Sequence, residues 1–84
     1  GTPELVIEII SPFSQRRDRL EKLETYQTNG VQHYWLVHPE QKTLECFALV
    51  DGVYSRVAGG MDDDVVSPPG FADLQINLKD LWQR

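Results

Sequence analysis

Residues 4–12 read ELVIEIISP, an apolar and β-branched run that ends at Ser11-Pro12. A run of this kind is typical of a strand that is covered on both faces. Proline ends it, because proline lacks the amide hydrogen that a strand ladder needs. The sequence therefore predicts a buried strand, Glu4 to Ile10, near the beginning of the fold.

A helix is predicted after this strand. Ser14 can cap a first turn, and Asp18 followed by Glu21 has the spacing of a capping box. The helix is expected to run to Asn29, because Gly30 readily adopts the left-handed conformation that ends a helix. Its predicted apolar stripe consists of Leu20, Leu23 and either Tyr26 or Gln27.

The remaining elements are marked by short patterns. Residues 33–38, HYWLVH, are rich in aromatic and branched side chains and predict a second strand, which completes a βαβ unit. Residues 43–50 alternate as a third strand, and Asp51-Gly52 predicts a hairpin turn into a return strand over 53–58. A loop that starts at Gly59-Gly60, a short extension at 74–76 and a terminal helical turn near 78–82 complete the chain. We thus expect an α/β fold: a βαβ unit, a β-hairpin and a short C-terminal helix.

The composition bounds the size and the setting of the protein. Its 84 residues, 40% hydrophobic and 25% charged, allow one globular domain and exclude a disordered tail. The single cysteine, Cys46, excludes an internal disulfide and fits a reducing cytosol. No apolar run approaches the roughly 18–20 residues that cross a bilayer, so we expect a cytoplasmic protein without membrane contact. One helix cannot cover both faces of an apolar strand, which predicts either missing upstream chain or a second copy. In the second case we expect a homodimer.

The charge is unevenly distributed. The whole chain has a net charge of −5, which opposes unsteered attraction to nucleic acid. One short stretch has four basic residues against Asp18 and Glu21 and is therefore net +2; its basic members are Arg16, Arg17, Arg19 and Lys22. This patch either contacts phosphates or is a solvated helix face, and the sequence leaves both interpretations open.

Glu8 is the most informative single residue. Strand periodicity places it between Val6 and Ile10 on one face, where a carboxylate charge is costly without a partner. It is either a strand-end glutamate that reaches solvent or an arginine, or a functional carboxylate held ionised by a metal or a nearby cation.

Asp18, Lys22 and Tyr26 follow one another at intervals of four residues and therefore share a stripe of the helix. As the helix returns over the sheet, this stripe can face the first strand where Glu8 lies. A lysine near a metal-binding carboxylate can orient water and stabilise a pentavalent phosphate. The alternative is a structural Asp18–Lys22 pair beside a half-buried tyrosine.

The ordered set of motifs resembles one known family. PELVIEIISP at residues 3–12, Arg17-Asp18, Lys22, Tyr26, Gly30-Val31 and YWLV at residues 34–37 are similar to the Uma-type restriction endonuclease family of bacteria, a branch of the PD-(D/E)XK nuclease superfamily. The similarity extends over nearly the whole chain. It implies the C-terminal part of a restriction-endonuclease-like fold, so that residues 1–84 form a single partial domain.

The resemblance also implies a chemistry. Glu8 falls on the family's second metal-binding carboxylate, with Mg²⁺ or Mn²⁺ as the metal, and Lys22 falls on the catalytic lysine that the family supplies from the helix; Ile10 stands where most PD-(D/E)XK nucleases have that lysine. Asp18 and Tyr26 become supporting residues, and Arg16, Arg17 and Arg19 become nucleic-acid contacts. The family's first metal-binding aspartate lies on an upstream strand that these residues lack, so the isolated chain is expected to bind metal weakly and to cleave DNA poorly or not at all.

Two other functions stay open beside metal-dependent DNA cleavage: an inactive nucleic-acid-binding module, and a structural homodimerisation domain. The other candidates for a site have structural interpretations. His33 and His38 fall on opposite strand faces and cannot hold one metal together, and Asp62, Asp63 and Asp64 lack the spacing of a calcium loop. Cys46 and Trp35 are predicted core residues, and Trp82 is predicted to pack in the core or in a subunit contact.

Overall fold

The computed structural model describes residues 2–13 and 16–83 and confirms the α/β prediction. The chain forms a four-stranded sheet, a helix, a two-stranded sheet and a short C-terminal helix. The elements in order are β1 (Leu5–Ile9), α1 (Arg16–Thr28), β2 (His33–His38), β3 (Thr43–Val50), β4 (Val53–Met61), β5 (Val65–Val66), β6 (Ile76–Asn77) and α2 (Leu78–Trp82). Among these residues no helix is long and apolar enough to cross a membrane.

The main sheet has the strand order β1-β2-β3-β4, with β1 parallel to β2 and the other pairs antiparallel. The predicted βαβ unit and hairpin are therefore confirmed. Asp51 and Gly52 have φ angles of 53° and 80°, and two consecutive positive φ angles are what a two-residue hairpin turn needs to match the twist of its strands. This turn fixes the β3–β4 register, with Val50 opposite Val53.

Helix α1 ends at Thr28, one residue before the predicted Asn29, and its predicted start differs more. Gly30 has a φ of 75°. The amide of Val31 donates to the carbonyl of Tyr26 at 3.0 Å and the amide of Gly30 to that of Gln27 at 3.2 Å, which is a Schellman motif. The predicted capping box was wrong, because the helix already starts at Arg16 and Asp18 is its third residue, where its charge complements the helix dipole. The predicted cap Ser14 lies outside the described residues.

The apolar stripe of α1 also needs a correction. Leu20 is about half exposed, whereas Leu23, Tyr26 and Gln27 are half-buried. Arg19 takes the inward position that the sequence assigned to Leu20. The reason is geometric: Arg19, Leu23 and Tyr26 follow one another at intervals of four and three residues and share one stripe, whereas Leu20 is rotated by about 100° from Arg19.

Strand β4 is longer than predicted. It continues to Met61, so Gly59 and Gly60 are strand residues rather than a loop. A Cβ at Gly59 would lie against the guanidinium of Arg56 and 2.9 Å from the carbonyl of Leu44, so only glycine fits there. The pairing of β3 with β4 shifts register between Cys46 and Phe47. The sequence pattern did not predict this irregularity. The predicted extension at 74–76 coincides with the two-residue strand β6 only at Ile76, and β6 pairs with β5.

The two faces of the main sheet are covered differently. On one, which we call the core face, the C-terminal segment packs over the sheet and forms the buried cluster of Trp35, Leu44, Cys46, Val66 and Leu78. On the other, the helix-side face, α1 lies over β1 and β2. Ile7 and Ile9, at the edge of the core face, are 50% and 66% exposed, so the described residues leave one face of β1 uncovered, as expected of a chain with one helix over that strand.

Candidate active site

Glu8 lies at the centre of a polar cluster on the helix-side face. It pairs with Leu36 across the parallel β1–β2 ladder, and its side chain is 20% exposed. The hydroxyl of Tyr26 donates to Glu8 Oε1 at 3.0 Å, and Lys22 Nζ lies 3.7 Å from Glu8 Oε2. Each carboxylate oxygen thus has its own helix partner, and the partners are one helical turn apart because they are four residues apart in sequence.

Tyrosine side chains anchor the helix that carries these partners. Tyr34 is 1% exposed, and its ring contacts Tyr26 at 5.7 Å and stacks on Tyr54 at 5.5 Å between centroids. The Tyr54 hydroxyl donates to the carbonyl of Val31 at 2.8 Å, and the Tyr54 amide donates to Gln27 Oε1 at 2.9 Å. The end of α1 is therefore fixed against the sheet, which holds Tyr26 and Lys22 in place over Glu8.

Tyr26 is a hydrogen-bond donor at neutral pH. Burial, followed by the hydrogen bond to Glu8 and its negative charge, raises the pKa of Tyr26 above its usual 10.0. The hydroxyl consequently keeps its proton and fixes the orientation of the Glu8 carboxylate. Lys22, with a side chain that is 56% exposed, supplies a cation that solvent and a substrate can reach.

Asp18 lies near this cluster but outside its contacts. It lines a shallow surface depression of about 280 Å³ together with Glu21, Lys22, Thr25 and Tyr26. Within residues 2–13 and 16–83, the ion pairs include Lys22–Glu8 and not the Asp18–Lys22 pair that would make Lys22 purely structural. The structure thus brings together Glu8, Lys22 and Tyr26, and leaves Asp18 at the rim.

The three arginines of the basic patch have separate environments. Arg16 and Arg17 are exposed, and Arg17 Nε lies 3.3 Å from Glu21 Oε1. Arg19 is half-buried and lies against the sheet, close enough to Tyr34 for its charge to lower the pKa of that hydroxyl slightly against the stronger effect of burial. The sequence groups the three by charge alone, and only packing against the sheet separates Arg19 from the other two.

A divalent metal fits this cluster only in part. Carboxylate oxygens are the ligands that Mg²⁺ prefers, and Glu8 offers two. Within residues 2–13 and 16–83, however, there is no group of three or more histidine, cysteine, aspartate or glutamate side chains that could hold a metal ion. The described residues therefore supply one ligand, Glu8, and do not complete a metal site.

The histidines do not join the cluster. His33 packs edge-on against Phe71 at 4.8 Å between ring centroids, on the core face. His38 lies on the helix-side face with Nε2 3.8 Å from Glu45 Oε1, a cross-strand partner that the sequence alone did not indicate. Cys46 and Trp35 are buried in the core as predicted, and Trp82 packs against that core and donates from Nε1 to the carbonyl of Asp62 at 2.8 Å.

Comparison with known proteins finds a family match and a similar solved structure, but no match among curated proteins. The model of the Uma2 family, described as "Putative restriction endonuclease", matches residues 1–79. A crystal structure of "a putative nuclease belonging to DUF820" from Anabaena variabilis is similar, with a TM-score of 0.72 at 25% sequence identity. The alignment covers 96% of the present chain and 44% of that nuclease, so the chain spans less than half of its length.

Proposed function

Because this chain belongs to the Uma2 restriction endonuclease family, we propose that it carries part of the active site of an endonuclease that hydrolyses phosphodiester bonds in DNA. The single observation that carries the proposal is the pairing of Glu8 with Lys22 on a half-buried sheet face. A carboxylate and a cation 3.7 Å apart beside an open surface are suited to a phosphate and its attacking water.

The residues divide the work by chemistry and position. Lys22 is the catalytic cation: its exposed ammonium stabilises the negative charge that builds on the phosphate oxygens during attack. Glu8 is the catalytic carboxylate, and Tyr26 holds it in one orientation through the 3.0 Å hydrogen bond. Asp18 supports the rim, and the exposed Arg16 and Arg17 contact the DNA backbone without reading its sequence.

The cofactor we propose is Mg²⁺ or Mn²⁺, as the family resemblance implies. When bound, such an ion polarises the phosphodiester and makes bound water a better nucleophile. Glu8 would be one of its ligands, and the others would come from outside the described residues, in a longer protein of the kind that the solved nuclease represents. The reaction would take place in the cytoplasm, whose reducing state fits the buried free thiol of Cys46.

A second candidate is favoured by a different observation. Ile7 and Ile9 form an exposed apolar pair on an edge strand, and such strands readily pair with another chain. A homodimerising module that keeps the fold without the chemistry would use this edge and would not need Lys22. Sedimentation at micromolar concentration that shows a stable monomer would count against the homodimer.

The test of the proposed function is a carboxylate-to-amide substitution at the site. In a full-length family protein that contains this chain, Glu8→Gln is expected to lower Mg²⁺-dependent cleavage of duplex DNA by at least about 10³-fold, as the loss of an essential catalytic group does. The matched control is Glu24→Gln, an equivalent change on the exposed side of α1, which should leave the rate unchanged. A full-length protein without cleavage activity, or a Glu8→Gln variant as fast as wild type, would overturn the proposal.

A further inference from the structure

A second polar cleft lies beside the candidate active site. It has a volume of about 180 Å³, enough for one tetrahedral anion, and it lies where β1 and β2 end. Its lining residues are Ile10, Ser11, Arg19, His38, Glu40 and Gln41. Because β1 and β2 are parallel, this is the carboxyl edge of the pair, the edge at which ligands bind in open α/β sheets.

Arg19 is the unusual residue of this cleft, which we call the Arg19 cleft. Its Nε is buried and finds no hydrogen-bond acceptor among the residues that the structure describes. A buried donor without a partner is costly, and more so when it carries charge, so buried polar groups are almost always paired with protein, water or ligand. A guanidinium offers a planar fork of donors, and that geometry matches a phosphate.

The neighbouring charges do not cancel that of Arg19 by direct contact. Glu45 is engaged by His38, whose Nε2 lies 3.8 Å from the carboxylate. Glu40 lines the cleft but is exposed, and the ion pairs among the described residues do not include it. Gln41 contributes a further amide at the rim. An anion that enters the cleft therefore meets a half-buried guanidinium whose Nε has no acceptor among the described residues.

The position of the cleft relative to Glu8 identifies the anion. Ile10 follows Glu8 by two residues and so faces the same side of the sheet, about 6.6 Å further along the chain. Neighbouring phosphates of one nucleic-acid strand are separated by a similar distance. We propose that the Arg19 cleft binds the backbone phosphate next to the one that is hydrolysed at Glu8. This subsite rests on the proposed nuclease function. It fixes which phosphate of the nucleic-acid strand lies at Glu8 and Lys22.

The test uses the Arg19 Nε–H as its own reporter. In the ¹⁵N-labelled full-length protein, inorganic phosphate should shift the Nε–H resonance of Arg19 by NMR. The dinucleotides TpT and pTpT then distinguish binding of an isolated phosphate from binding of two adjacent phosphates of a nucleic-acid strand, because pTpT has a second phosphate next to the first. Wild type should bind pTpT at least about tenfold more tightly than TpT.

Two variants show whether Arg19 causes that preference. Arg19→Gln should reduce the ratio of the two affinities to less than about twofold, whereas the control Lys79→Gln, which removes the same charge from exposed α2, should leave the ratio unchanged. Equal ratios in wild type and Arg19→Gln would overturn the proposal. So would an Nε–H resonance that responds to Glu40→Gln and not to phosphate, since Arg19 would then pair within the protein.

The subsite and the catalytic proposal can fail separately. Glu8→Gln should abolish cleavage while the phosphate-induced shift of the Arg19 resonance persists. A protein that shows the shift and the pTpT preference but does not cleave DNA would refute the nuclease function and retain the subsite. A protein that cleaves DNA through Glu8 without the pTpT preference would retain the nuclease function and refute the subsite.

Discussion

The two faces of the main sheet differ in what they bury. On the core face, Trp35, Leu44 and Leu78 are at most 6% exposed and have apolar neighbours. On the helix-side face, Glu8 and Lys22 remain 20% and 56% exposed, and their partners are polar. The comparison shows that one sheet can pack an apolar cluster on one face and leave reachable charged groups on the other. Substitutions of the charged groups and of the apolar cluster should therefore affect different measurements.

The largest expected effect is on the helix-side face. Lys22→Ala in the full-length protein should lower the cleavage rate by about 10²–10³-fold, the usual cost of losing one group that stabilises transition-state charge. The free energy of unfolding should change by less than about 1 kcal/mol, because Lys22 is exposed and its ion pair with Glu8 is screened by solvent. Lys79→Ala on α2 is the control and should change neither quantity. Equal losses of activity and stability would make Lys22 a structural residue.

The core face should show the opposite pattern, and α2 provides a matched pair of leucines. Leu78 is 0% exposed and belongs to the buried cluster, whereas Leu81 is 47% exposed on the same short helix. Leu78→Ala should destabilise the protein by about 2–5 kcal/mol, since it removes buried contacts and leaves a cavity. Leu81→Ala should cost less than about 1 kcal/mol. Urea unfolding measures both, and similar values would show that α2 does not cover the core.

Alkaline pH is expected to have a smaller effect, on the free energy of unfolding, through one titratable side chain on each face. Burial raises the pKa of Cys46 on the core face from 9.0 to about 11 and that of Tyr34 on the helix-side face from 10.0 to about 12. The native state therefore keeps both protons longer than the unfolded chain does, so stability is complete below pH 9 and falls as pH rises through 9–11 and 10–12.

Each group should contribute on the order of 2 kcal/mol to this loss. Urea unfolding at a series of alkaline pH values tests the assignment. Cys46→Ala should flatten the lower part of the decline and Tyr34→Phe the upper part, and each variant is the control for the other. A decline that neither substitution alters would mean that other groups control alkaline unfolding.

The sequence predicted the fold best where turn chemistry is local. The bounds of β2 and β3 agree with the prediction, because Gly30 and Asp51-Gly52 mark their neighbouring turns without ambiguity. The predicted start of α1 at a capping box was wrong. Asp18 and Glu21 are three residues apart whether Asp18 is the cap or, as here, the third residue of the helix, so the spacing alone does not locate the helix start. The end of β4 was wrong because Gly59-Gly60 reads as a loop, and its close contact with Arg56 depends on tertiary packing.

The candidate site was predictable for the same kind of reason. Strand parity placed Glu8 on one face, and a spacing of four placed Lys22 and Tyr26 on one helix stripe; the structure brings the three together. The burial of Arg19 could not be predicted, because a charged side chain is expected to face solvent and only packing against the sheet shows that its Nε is buried. Long-range contacts such as His38 with Glu45 follow from the β2–β3 register, which the sequence did not specify residue by residue.

The central claim is that Glu8 and Lys22 act as one catalytic unit on the helix-side face. The most direct test is a double-mutant cycle on the rate of DNA cleavage by the full-length protein, with Glu8→Gln, Lys22→Ala and the double variant. We predict that the double variant is within about threefold of the slower single variant, because residues that act as a unit are strongly non-additive. A double variant that is slower by the product of the two single effects would show that Glu8 and Lys22 act independently and would contradict the account.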